Sequence, residues 1–143
     1  MEQVRAELHD GRLREALSLL NSTTVYRFTG AYRFEGQWVR SVALFDRRNP
    51  DLCVGDHVLW QESYCRITAE DGDACRIDAA LQDARLMAHA ARTAVQSYVG
   101  VLLKSPDGTR LGTLCHFDVI PHAADEVALA DLRQLRALVA LAL

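Results

Sequence analysis

The chain has 143 residues, a formal net charge of −3 and an apolar fraction of 50%, which suits one domain with one sizeable core. It has no run of basic residues, so nucleic acid is excluded as the main partner. The longest apolar stretch, Leu135 to Leu143, carries Arg136 and is too short to cross a bilayer.

The first ten residues include Glu2, Arg5, Glu7 and Asp10, which argues against a secretory leader and sets a cytoplasmic location as the expectation. Val4 and Leu8, then Leu13, Ala16, Leu17 and Leu20, recur at three- and four-residue steps. That spacing predicts a helical region over 1–22 with one buried stripe. Gly11 costs about 1 kcal/mol inside a helix and is expected to split it. A hairpin follows. Thr24, Tyr26, Phe28, Tyr32 and Phe34 alternate along one strand, Glu35-Gly36 makes the turn, and Gln37 to Phe45 returns. Gly30 marks a bulge or a close backbone approach. Asp46 to Gly55 reads as a polar loop.

Trp60 to Ala69 is expected to form a short helix that starts near Gln61 or Ser63, and Asp71-Gly72 ends it. Cys75 to Ile77 is a short strand. Asp78 is the expected N-cap of an Ala-rich helix over Ala79–Ala94, in one or two pieces. Two apolar runs then flank Ser105-Pro106-Asp107-Gly108, a second hairpin with a defined reversal. Pro121 breaks the chain, and 124–143 is predicted as a long helix with its stripe at Leu129, Leu132, Leu135, Val139 and Leu143. Two hairpins require antiparallel pairing, so the class is α+β. The residues 1–143 form a single domain, with no repeat and no linker.

Several segments resemble the GAF domain family, in the family's order. They are the helix Arg12 to Leu20, Ser63-Tyr64-Cys65, Ile77-Asp78-Ala79-Ala80 with Asp83-Ala84-Arg85-Leu86, Tyr98-Val99-Gly100-Val101-Leu102, and Leu111-Gly112-Thr113-Leu114-Cys115. The resemblance implies a GAF/PAS-like fold. A central antiparallel sheet of five to six strands has the N- and C-terminal helices on one face, and short helices cover a pocket on the other. It also implies a regulatory, non-catalytic sensor of a small molecule. No cofactor is implied beyond an unidentified small-molecule ligand, and a fold alone does not fix a site.

On that fold Trp60, Tyr64, Cys65, Asp78, Arg85, Leu86 and Tyr98 border the pocket. Arg85 could fork onto a carboxylate or phosphate, and Asp78 could accept from a ligand N–H. Asp78 as a cap and Arg85 as its surface partner, with Trp60 and Tyr64 as plain core, is the simpler reading of the same residues. One branch of the family reduces free methionine R-sulfoxide with thiols beside the pocket, and here Cys65 and Cys53 would serve. Cys65 near a helix N-terminus favours a lowered thiol pKa. The region Leu86 to Gln96 lacks that branch's further cysteine. A third reading is a module for protein–protein contact with the pocket filled by Trp60 and Tyr64.

Cys115-His116 repeats the dipeptide of bilin-binding members, but in a strand these side chains point to opposite faces. His89, near the pocket edge, is expected at a solvated helix position. The cysteines Cys53, Cys65, Cys75 and Cys115 form no C-x-x-C pair and are expected as reduced thiols. No zinc or other metal site is expected. The terminal helices are expected to pair in a homodimer, with no membrane partner and with signal output in trans or through a part outside this chain.

Overall fold

The computed structural model describes residues 1–123 and 125–143. Helices α1 (Glu2–His9) and α2 (Leu13–Asn21) are separated at Gly11, whose φ of 74° is open to glycine. Strands β1 (Phe28–Glu35) and β2 (Trp38–Asp46) form the first hairpin, and Gly36 at φ 60° makes its turn. The strand therefore begins four residues later than Thr24, because Asn21 and Thr24 hold a turn through side-chain bonds to Tyr26 and Asn21 backbone oxygens. The two-residue strand β3 (Val58–Leu59) has no signal in the sequence. Helix α3 (Tyr64–Glu70), strands β4 (Ala74–Ile77), β5 (Ser97–Lys104) and β6 (Arg110–Asp118), and helix α4 (Glu126–Leu141) complete the chain. The predicted start of the last helix at Ala124 lies outside the described residues.

The six strands run in the order β3-β2-β1-β6-β5-β4, and every neighbouring pair is antiparallel. Side chains alternate across the pleat, which divides the core in two. On one face Val99, Val101 and Leu114 meet Leu17 and Leu20 of α2 and Leu129, Leu132, Leu135 and Val139 of α4. On the other, Tyr32, Cys115 and Tyr98 meet Tyr64, Cys65 and Leu86. The α+β class and the placement of both terminal helices on one face follow the sequence pattern.

The Ala-rich segment departs from expectation. It forms three 3-10 turns, at Ala80–Gln82, Ala84–Leu86 and Ala90–Thr93, in place of a helix over Ala79–Ala94. Asp83 and His89, not Asp78, accept from the backbone N–H groups two residues on. Each such cap offers the backbone an alternative to a continuing helix. Ala80 N–H donates to Gln96 O at 2.8 Å, and the Leu86 side chain is fully buried, so the segment is pinned to the sheet at several points.

Beneath α4 lies a buried polar group. His116 is fully buried, its Nδ1 is 2.6 Å from Thr29 Oγ1, and its ring stacks on Tyr26 at 5.7 Å. Asn21 Nδ2 donates to the same Thr29 oxygen. His116 Nε2 and Tyr26 Oη have no partner among the described residues. Burial pushes the imidazole pKa down to about 3. The neighbouring residues Cys115 and His116 do face opposite sides of the sheet, as strand geometry requires.

Candidate functional site

A cleft of about 490 Å³ opens between the sheet and the short helices, within the size range of small-ligand sites. Its floor is built from two tyrosine–glycine pairs. Residues two apart on a strand share a face, so Tyr98 lies over Gly100 and Tyr32 lies over Gly30. A Cβ on Gly100 would come within 2.6 Å of Tyr98 Cζ, and one on Gly30 within 2.7 Å of Tyr32 Cε2. Both glycines are therefore close-approach positions, and both rings lie along the sheet. Phe28 and Phe117 stack beside them at 4.8 Å.

Helix α3 forms one wall. Ser63 caps it by accepting from Cys65 N–H at 3.0 Å. Tyr64 then packs edge-on against Tyr98 at 5.7 Å and donates to Val95 O at 2.8 Å. Tyr98 Oη sits 3.0 Å from Thr68 Oγ1, and burial raises its pKa well above the ordinary phenol. Burial likewise raises Tyr64 to about 12, so both tyrosines are neutral. His89 ties the lid to this wall. Its Nδ1 accepts from Ala91 N–H, which leaves the proton on Nε2, 3.3 Å from Ser63 O. Burial lowers its pKa. His89 is thus buried and acts as a cap, contrary to the expected solvated position, because its ring closes the gap between Ser63 and Tyr64.

Two thiols reach the cleft, Cys65 and Cys115. Cys65 Sγ lies 3.0 Å from Thr113 Oγ1. Burial raises its pKa despite those bonds and the helix N-terminus, and raises Cys115 well above the ordinary thiol. The expected lowering at Cys65 is therefore reversed. Desolvation of a fully enclosed thiolate outweighs a seven-residue helix. Cys53 is exposed on the loop after β2 and does not line the cleft. Its backbone carbonyl accepts from Leu44 N–H.

Of the sequence-derived candidates, Tyr64, Cys65 and Tyr98 meet at the cleft. The others do not line it. Trp60 lies edge-on to Phe34 at 4.9 Å, beside a separate cavity of about 370 Å³. Leu86 is enclosed in the core below the lid. Asp78 is exposed, and its backbone carbonyl accepts from His122 N–H. Arg85 forks onto Asp83 at 3.0 and 2.7 Å and also donates to Arg76 O. That guanidinium holds the Asp83 carboxyl below its usual range. It ties the lid to β4 and leaves no fork for a ligand anion.

The sequence reading missed Asp56 and Glu62, two exposed carboxylates on the cleft wall. No Lys or Arg lines the cleft among the described residues. Nothing in the local sequence marks the two acids: Asp56 follows the polar loop after β2, and Glu62 ends the short 3-10 turn before α3.

End helices on one face of an antiparallel sheet, with short helices over a cleft on the other, define a two-layered-core α+β architecture. Solved structures place it further. The structure matches a free methionine-R-sulfoxide reductase from Neisseria meningitidis at TM-score 0.76 and 15% identity, over 99% of this chain and 84% of that one. It matches the GAF domain of an Acinetobacter phosphoenolpyruvate-protein phosphotransferase at 0.76 and 14%, over 99% and 88%. A phycoerythrobilin-bound GAF domain from a cyanobacterial phytochrome gives 0.74 and 12%, over 99% and 90%. At these identities the likeness concerns the fold, and the fold of this chain is the GAF fold. No family model and no curated protein sequence matches. No helix among the described residues is long and apolar enough to cross a membrane.

Proposed function

We propose that this chain is a regulatory, non-catalytic GAF-type sensor that takes a small, largely apolar molecule into the cleft over Tyr32, Tyr64 and Tyr98. The observation that carries this reading is the open cleft itself. It is walled by apolar side chains and a few polar atoms, as ligand sites are. Trp60 lies outside it, so the aromatic pair that would have filled it does not. Strands β5 and β6 offer one face to the cleft and the other to α4, so a ligand pressing on Tyr98 or Phe117 bears on the sheet that carries the terminal helix.

Pairing of two copies through the terminal helices belongs to the same proposal, with output in trans. Leu129, Leu132, Leu135 and Val139 are used in the protomer's own core, so pairing relies on outward residues such as Val127 and Leu141. A cytoplasmic setting suits the buried reduced thiols. Reduction of free methionine sulfoxide, the activity of two structural neighbours, has less support here. Cys53 is off the cleft, and both cleft thiols are held protonated.

A thermal-shift screen of uncharged, cationic and anionic metabolites tests the reading. A ligand at a hundredfold over its Kd stabilises by about 2.7 kcal/mol, a rise of roughly 5–10 °C for a domain of this size. Ala91 lines the cleft, and Ala91→Phe is expected to melt cooperatively while losing the shift. A screen with no hit, or hits that survive Ala91→Phe, contradicts the proposal.

A further inference from the structure

The cleft combines an aromatic floor with an acidic rim and carries no opposing base. Its aromatic side chains are Phe28, Tyr32, Tyr64, Tyr98 and Phe117. Asp56 and Glu62 lie on its wall, and neither carboxylate has an ion-pair or hydrogen-bond partner among the described residues. Arg66 of α3 and Arg92 of the lid flank the cleft without lining it, and two other arginines nearby are held by carboxylates. Arg85 is forked onto Asp83, and Arg27, over the Phe28 ring at 4.6 Å, is held by both oxygens of Asp46. The tyrosines are neutral, since burial raises Tyr32, Tyr64 and Tyr98 alike. Among the described residues that line the cleft, the negative charge therefore comes from Asp56 and Glu62.

Aromatic faces attract a cation through the ring quadrupole, and the attraction grows as the cation is desolvated. Unpaired carboxylates at a low-dielectric opening raise the local concentration of cations and repel anions. An anionic ligand would enter with no Lys or Arg side chain lining the cleft to meet it among the described residues, and would face two like charges. A neutral ligand would gain the apolar contacts but nothing from the rim.

We propose that the ligand of this cleft is a small organic cation, an alkylammonium or quaternary ammonium compound, with its charged head between the tyrosine rings and the carboxylates of Asp56 and Glu62. This rests on the sensor reading above and names the ligand class. The rim acids steer the cation and the rings hold it.

The test compares choline with its neutral isostere 3,3-dimethylbutan-1-ol by calorimetric titration at low and high salt. Wild-type protein is expected to bind choline at least tenfold more tightly than the alcohol, and the ratio should shrink with salt. In Asp56→Asn/Glu62→Gln the ratio should fall at least threefold, while the affinity for the alcohol stays unchanged. Both side chains are exposed and have no hydrogen-bond or ion-pair partner among the described residues, so the variant is expected to fold. The wild-type ratio needs no variant in any case. Equal affinity for choline and the alcohol overturns the cationic class and leaves the cleft reading intact. Binding of neither probe also overturns the class. If no compound of the wider screen binds either, the sensor reading fails with it.

Discussion

Replacing Gly112 by alanine is expected to destabilise the protein by about 3 kcal/mol or more, the high end of what overpacking costs. Gly112 stands opposite Arg33 in the β1–β6 pair at the centre of the sheet. A Cβ there would collide with the backbone carbonyl oxygen of Tyr32 and lie 2.8 Å from its carbonyl carbon. A flexible side chain could swing aside, but a backbone carbonyl cannot move without shifting its strand. Tyr32 is also part of the cleft floor, so relaxation at Gly112 reaches the site. Gly108 provides the comparison. It has open space around it but a φ of 87°, so Gly108→Ala should cost only about 1 kcal/mol, the penalty of the left-handed conformation. Urea unfolding of the two variants checks the order. Equal losses would show that the close approach at Gly112 does not matter.

His116 should give the fold a pronounced pH dependence between 7 and 5. The imidazole pKa is pushed down to about 3 in the folded protein, against about 6.5 in an unfolded chain. Its contribution is therefore fully present above about pH 6.5. As pH falls below that, the unfolded chain takes up a proton that the folded one refuses, and stability drops. The loss from this residue is about 2 kcal/mol between pH 7 and pH 5. Burial lowers His89 as well, which adds a slope of the same sign. In His116→Phe the ring cannot titrate, and the difference in unfolding free energy between pH 7 and 5 should shrink by about 2 kcal/mol. Thr29 keeps its bond from Asn21, so the variant is expected to fold. A variant with the same pH slope as the parent contradicts the assignment.

The sequence made the outline of the fold readable wherever glycine or alternation decided the matter. Gly11, Glu35-Gly36 and the Ser105 to Gly108 reversal fall at the junctions of elements. Cys115 and His116 part to opposite faces because a strand leaves no other choice. The Tyr-x-Gly spacing at Tyr98 and Gly100 turns out to be a ring lying over a position without a Cβ, and Gly30 with Tyr32 repeats it in reverse order. Those two pairs were legible as strand features but not as a cleft floor.

What stayed hidden depended on partners far along the chain. Asp78 and Asp83 both precede Ala-rich stretches, and either could cap. Arg85 settles the matter by forking onto Asp83, while the backbone of Asp78 is taken by His122. Trp60 and Tyr64 are four residues apart and read as one helical face. The break at Ser63 between a 3-10 turn and α3 sends them to different cavities. Cys65 looked reactive from its place at a helix start, and only its burial, which outweighs the bonds to Ser63, Thr113 and Tyr98, reverses that. His89 looked solvated in an alanine run that was expected to be a helix. Once the run breaks into turns, its ring is free to cap Ala91 and meet Tyr64.

Amide correlation spectra, recorded while the compound that raises the melting temperature most is titrated in, test the account at its centre. The shifts should gather on Tyr32, Ser63 to Cys65, Ala91 to Val95 and Tyr98, the ring of residues around the open space. Shifts that collect instead on α2 and α4, or on the Trp60 cavity, would mean that this space is not where the protein meets its ligand.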